Sequence, residues 1–391
     1  MSATVLAPAR VLAPAPVQPL PPAMVRPGRR TDLDLLRILV CGSVILAHAL
    51  LIFAAEPRYH VKSAVPWLPA SIAYEGMRIS TLAIFFTLAG WSAVASLRRR
   101  AAGRYIRDRL ARVLVPLIAG ILLLGPVIKW IELGQGRDLR LGGFRQVPPP
   151  EVGFLEFLPR YLTRLNLMTW SHLWFLAYLF LISLALLPLL QWLARRVPDP
   201  AMPGRAWGYA PAGLLAVLVA GTGAYWPFLP NLTQDWANLG YFAACFALGG
   251  GLAAWPGLEA QLRAEAPGLL ALALAGLALV VWAGPSVAGR IGVGLCAWGS
   301  IGAALGYAGR HPPRHGKVMA WLGEATMPVY VLHHIPVLAL GVLVLPLGWG
   351  EPVSVLAIWV PATVVSLVAY RWLVWPWWVP STVVSDLAKM L

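Results

Sequence analysis

Charged side chains are scarce in this chain. Asp, Glu, Lys and Arg make up 12% of its 391 residues, about half the share of an ordinary soluble domain, which excludes that class. Acidic residues are scarcer still, 16 against 31 basic ones, so few carboxylates are available to relay protons inside an apolar body. There are three cysteines, Cys41, Cys245 and Cys296, each inside an apolar stretch and none in CxxC spacing, which excludes a disulfide framework or a cysteine zinc site. Residues 1–30 offer no unbroken apolar helix of the kind a signal peptide needs, because prolines interrupt them throughout. They are expected to form a disordered tail. No inverted repeat of the transporter type is evident. The glycine pattern GSIGAALG, Gly299 to Gly306, is preceded by no strand and so is not a phosphate loop. It is expected to let two helices pack closely.

What the chain has is apolar length. Hydrophobic residues make up 59%, and the mean hydropathy is +0.70, which implies an all-α, polytopic integral membrane protein. Ten runs are long enough to span: 35–53, 79–97, 113–131, 173–193, 209–229, 238–255, 267–284, 288–308, 326–345 and 353–374. The expected organisation is a cytoplasmic tail over 1–30, a transmembrane domain over 31–376 and a second cytoplasmic tail over 377–391. The net charge of +15 would suggest nucleic acid in a soluble protein. Here Arg and Lys fall in the breaks between apolar runs, which points to topology and anionic lipid instead and leaves nucleic acid out. Loops on the N-terminal side hold fourteen of them against eight on the other, with four more in the tail; both termini are therefore expected on the cytoplasmic side. The long external segment 132–172 ends in apolar residues at helical spacing, Phe154 to Leu165, read as an amphipathic helix on the outer leaflet.

Ionisable residues within apolar runs are the candidates for function. Arg37 and His48 lie eleven residues apart in the first run. That is about three helical turns, so they share a face, with the histidine roughly 16 Å further along the axis. Asp34, three residues before Arg37, can pair with it. Seven arginines occupy residues 98–112, more than orientation requires. Arg109 and Arg112, three apart at the entry of the third run, suit a polyphosphate ligand, since guanidinium groups bind phosphate bidentately. His172 opens the fourth run between Trp170 and Trp174, a setting usual for an interfacial histidine. His333 and His334 lie in the ninth; on a continuous helix they point about 100° apart, so at most one faces a given cavity.

DLDLLRILVCGSVILAH, FFTLAG, RDRLARVLVP, SHLWFL and YVLHHIP, in that order over residues 31–374, resemble the signatures of acyltransferase family 3, polytopic bacterial acyltransferases that modify sugars and glycans. HLWFL is similar to the branch that succinylates periplasmic glucans. The resemblance implies a bacterial inner-membrane enzyme using acyl-CoA, acetyl-CoA or succinyl-CoA, to acylate a hydroxyl of a glycan or glycolipid at the outer face. It puts Arg37 and His48 at the family's arginine and catalytic histidine, and Arg109 and Arg112 at its second arginine motif. His48 is then the general base, the three arginines hold the CoA phosphates, Asp34, His172, His333 and His334 support, and no metal is required. One departure is visible. The family often has Ser before the glycine of FFxxSG, where this chain has Ala89. The alternative of another class is a secondary transporter or exporter of a glycolipid or anionic substrate, with the histidines as a proton relay.

Overall fold

The computed structural model describes residues 30–140, 143–224, 230–314 and 316–376. The expected tails, and residues 225–229 of the fifth apolar run, lie outside the described residues.

Long apolar stretches without internal breakers form single helices: α1 (Thr31–Phe53), α2 (Leu68–Leu97) and, after α3 (Ala102–Arg109), a π-helical turn at Leu110–Leu114 leading into α4 (Val115–Leu123). Proline then sets the breaks. Pro126 has no N–H to continue the ladder, and α5 (Gly125–Gly134) departs from α4 by 43°. Beyond a short helix α6 (Phe154–Thr163), α7 (Trp174–Ala185) and α8 (Leu187–Arg195) are bent by 59° at Pro188. The chain continues through α9 (Arg205–Thr222), α10 (Trp236–Ala254), α11 (Pro256–Ala264), α12 (Ala266–Ala283), α13 (Val287–Arg310), α14 (Lys317–Leu332), α15 (His334–Val344) and α16 (Glu351–Ala369).

Among the described residues, six helices are long and apolar enough to cross a membrane, or up to nine if each bent pair is one span. Nine of the ten expected runs correspond to these. The tenth coincides with α9, whose 18 residues include an internal Pro211 and do not reach the same apolarity. Large apolar side chains such as Leu122, Val217, Leu274, Val360 and Val364 are exposed along the helices, as expected where lipid is the solvent. Among the described residues the fold is helical apart from a two-stranded hairpin, β1 (Arg137–Arg140) and β2 (Gly143–Gln146), in the long segment 132–172. The helix expected after it is α6, but Phe157 and Tyr161 pack inward while Leu155 and Leu162 stay exposed.

Glycines set the closest helix crossings. A Cβ on Gly90 of α2 would sit 1.8 Å from the Phe246 carbonyl oxygen, and one on Gly249 of α10 1.9 Å from that of Thr87. Only glycine lets these two backbones meet. The GSIGAALG stripe acts as expected: Cβ atoms on Gly299, Gly302 and Gly306 would collide with Ala273, Leu269 and Leu262 of the neighbouring α12 and α11.

Candidate active site

At the end of α1 remote from Arg37, a cavity of about 1240 Å³ opens between α1, the start of α2, the loop after α1 and the segment entering α7. Four histidines line it: His48, His60, His172 and His334. A fifth, His333, lies behind His48, with ring centroids 5.0 Å apart.

The hydrogen bonds fix which nitrogens carry protons, because a carbonyl oxygen only accepts. His48 Nδ1 is 2.9 Å from the Val44 oxygen, one helical turn back, so it is the N–H. His333 Nδ1 donates to the Tyr330 oxygen at 2.6 Å, leaving its Nε2 to face His48 Nδ1 at 3.3 Å. His48 Nε2 thus keeps its lone pair, and no described protein group bonds to it. His172 Nε2 donates to the Val331 oxygen at 3.1 Å, and its ring stacks on His334 at 4.5 Å. His172 Nδ1 and both ring nitrogens of His334 are buried without a partner among the described residues. Such groups are costly and mark a surface prepared for an occupant.

One sequence expectation changes here. His172 is 4% exposed and belongs to the cavity wall, not to an aromatic interface. Of His333 and His334 only the second lines the cavity, in keeping with the expectation that at most one would; both rings still reach His48, where Pro336 cannot donate to the Leu332 carbonyl and α14 and α15 meet at 58°. His48, His333 and His334 each offer one ring nitrogen within 4.8 Å of the others. Of the described groups, these three could hold a late-transition-metal ion.

The arginines occupy the opposite end. Arg37 donates to Asp34 at 2.6 Å, the expected pair, and to Ser92 of α2 at 2.7 Å. Ser92 thus supplies a hydroxyl three residues beyond Ala89, where the family's serine is missing. Arg109 is half-buried with its guanidinium 4.9 Å from the Tyr105 ring centre, whereas Arg112, beyond the start of the π-helical turn, is exposed. The wider π-helical spacing separates two residues that an α-helix would set on one face. Arg37, Arg109 and Arg112 do not line the cavity.

Several polar groups at the site have no motif to announce them. Glu132 and Lys129 are fully buried on α5, paired with each other, and Lys129 also donates to Asp138 of β1 at 2.7 Å. Their spacing of three within an apolar stretch is the cue that identified Asp34 and Arg37. His60 lies in an irregular loop and gives no such cue. Burial pushes the Asp138 carboxyl up, but hydrogen bonds from Lys129 and Arg140 outweigh this and hold it down to about 2. Lys62, whose ammonium caps the end of α1 through the Leu51 and Ala54 carbonyls, is pushed down to about 8 by burial and by nearby Arg137.

Comparison with curated proteins and with solved structures gives no match. A family model described as an acyltransferase domain matches residues 30–371, nearly all of the described chain. The resemblance in DLDLLRILVCGSVILAH, RDRLARVLVP and YVLHHIP therefore holds along the whole helical body: the chain belongs to acyltransferase family 3, and is a transferase of acyl groups other than amino-acyl groups.

Proposed function

We propose that this protein is a membrane O-acyltransferase that takes an acetyl or succinyl group from cytoplasmic acyl-CoA and places it on a hydroxyl of a glycan or glycolipid at the outer face of a bacterial inner membrane. The observation that carries the reading is the free Nε2 of His48 on a large cavity whose apolar wall is set with polar side chains. A lone pair held in place by an Nδ1–H bond to a carbonyl is the arrangement a general base needs. Arg37 lies roughly 16 Å from it along the axis of α1, and Arg37, Arg109 and Arg112, none of which lines the cavity, suit the CoA phosphates while the thioester arm extends toward His48. The excess of basic residues on their side supports a cytoplasmic donor.

At the histidine end, the ion pairs Glu56–Arg58 and Glu75–Arg78, with Asn166 and Trp170, line the cavity. A wall of paired charges, amides and aromatic rings suits a polyhydroxylated acceptor. The three bent helix pairs favour the exporter reading, since broken helices line many transport sites. One experiment separates the two. Membranes carrying the protein are incubated with labelled acetyl-CoA and succinyl-CoA, and mass spectrometry follows which glycan gains an acyl group. Gain from one donor, dependent on His48, is the expected result. Gradient-driven movement of a glycolipid with no acyl gain would replace the proposal with the exporter.

A further inference from the structure

Glu132, His60 and Ser171 stand in line on one side of this cavity. The Glu132 carboxylate is fully buried and accepts from His60 Nδ1, from Lys129 Nζ and from the Leu139 N–H at 2.7 Å. Across the imidazole, His60 Nε2 lies 2.8 Å from Ser171 Oγ. A carboxylate only accepts, so Nδ1 carries the proton and Nε2 accepts the serine hydroxyl. This is the carboxylate, imidazole and hydroxyl order that activates a serine nucleophile, recognised by geometry and not by chain order.

The backbone at Ser171 points the same way. Its φ of +43° puts a residue with a side chain in the left-handed region, where strain persists only if the surroundings enforce it. The enforcing contacts are the Ser171 N–H to Thr169 Oγ1 at 3.1 Å and the Leu173 N–H to the Trp170 oxygen at 2.7 Å. A strained turn at the head of a helix is how nucleophilic serines are lifted into a site. Here the helical run Ser171–Ala185 begins at the serine, with its positive dipole end beside Oγ. A structural staple between the loop and α5 would need neither the strained turn nor a hydroxyl opening on the cavity.

We propose that Ser171 carries the acyl group as a covalent ester between donor and acceptor, with His60 as its base and Glu132 as the positioning residue. The inference rests on the reading of the cavity as an acyl-transfer chamber. In the first half-reaction Ser171 Oγ attacks the thioester carbonyl, its proton passes to His60 Nε2, and the C–S bond breaks. CoA leaves as a thiolate, which with a thiol pKa of about 8.5 departs without a proton. In the second, the acceptor hydroxyl gives its proton to His48 Nε2 and attacks the ester carbonyl. The C–Oγ bond breaks, and Ser171 Oγ takes its proton back from His60. His48 releases its proton to solvent and the thiolate takes one up, so the sum is acyl-CoA plus alcohol giving ester plus CoA thiol. Donor and acceptor never occupy the chamber together, and the kinetics are ping-pong.

The test uses the full chain in lipid nanodiscs with labelled acetyl-CoA or succinyl-CoA, first without acceptor, then quenched in acid and digested. The expected result is one acyl group on the Ser171 peptide, released by hydroxylamine, with one equivalent of CoA set free. The His48→Ala variant keeps the adduct and fails to discharge it to acceptor. The His60→Ala and Ser171→Ala variants form none, and transfer falls by about 10²- to 10⁴-fold. Ser171→Cys, which preserves the shape, carries the group as a thioester. Glu132→Gln slows adduct formation with the KM for acyl-CoA unchanged, a split that a loss of structure alone would not give. Wild-type turnover by Ser171→Ala, or the absence of adduct in both wild type and His48→Ala while a glycan is acylated, overturns the covalent route and leaves the transferase reading standing. No cleavage of either CoA ester with any acceptor overturns both.

Discussion

Replacing His48 with alanine should lower turnover by about 10²- to 10⁴-fold while leaving a folded protein. A positioned general base is worth that much, or about 3–5 kcal/mol of barrier at 1.36 kcal/mol per decade. The structural loss is smaller. His48 makes one main-chain bond, Nδ1 to the Val44 oxygen at 2.9 Å, and one longer contact with His333 Nε2 at 3.3 Å. Each is worth about 1 kcal/mol net, and because the ring already borders the cavity, its removal enlarges an existing space instead of opening a sealed one. About 2 kcal/mol from a typical reserve of about 5–15 lowers the melting temperature without unfolding the chain. The assay is single-turnover acyl transfer in nanodiscs, normalised to folded protein by thermal denaturation. His48→Gln serves as a companion that keeps a donor for Val44 and has no base. Turnover per folded molecule within threefold of wild type in either variant would refute the reasoning.

Arg37→Ala should raise the KM for acyl-CoA about tenfold or more with kcat per folded molecule little changed, because Arg37 lies far from the reacting end; initial rates against donor concentration separate the two. Gly249→Ala forces a Cβ to within 1.9 Å of the Thr87 oxygen and should cost roughly 1–3 kcal/mol, read as a lower melting temperature. Gly42→Ala, with nothing within 4 Å, should be neutral in the same measurement. Asp138 has its carboxyl held down to about 2 in the fold, against an ordinary 3.8. Its contribution to stability is fully present above about pH 4 and is lost as the pH falls through 2; melting curves from pH 6 to 2 should show this fall, and Asp138→Asn should flatten it. Chelation should leave acyl transfer unchanged, since His48 Nδ1 and His333 Nε2 face each other across a hydrogen bond that a shared metal ion would have to break; activity lost to a chelator and restored by zinc would overturn this.

The sequence shows the helical body and the Arg37–Asp34 pair because both rest on local periodicity: apolar length gives spans, and a spacing of three gives a shared face. It also places His48 one functional length from Arg37. The chamber around His48 is harder to read, because it is made of contacts between distant segments. Glu132 reaches His60 across 72 residues, and His60 reaches Ser171 across 111. The rule that adjacent residues diverge by about 100° separates His333 from His334, and it holds for the cavity, which only His334 lines. The break at Pro336, where α14 and α15 meet at 58°, is what the run 326–345 does not show as apolar length alone. His172 reads as interfacial because Trp170 and Trp174 flank it; the bond from its Nε2 to the Val331 carbonyl holds the ring inward instead.

The unpartnered nitrogens say what kind of occupant the chamber suits. His334 has two buried ring nitrogens without a partner and His172 has one. Leaving a buried polar group unmade costs about 1–3 kcal/mol, so an occupant that completes these bonds is favoured over one that only fills space. The neutral imidazole of His334 needs both a donor and an acceptor, and His172 Nδ1, whose ring proton is on Nε2, needs a donor. A thioester offers acceptors alone and cannot satisfy them. A hydroxyl donates and accepts through one atom, and neighbouring hydroxyls on a sugar ring offer that twice at fixed spacing. The histidine end thus suits an alcohol acceptor, and under the proposed function, with a phosphate-bearing donor at the arginine end, the axis of α1 from Arg37 to His48 would set the direction of transfer.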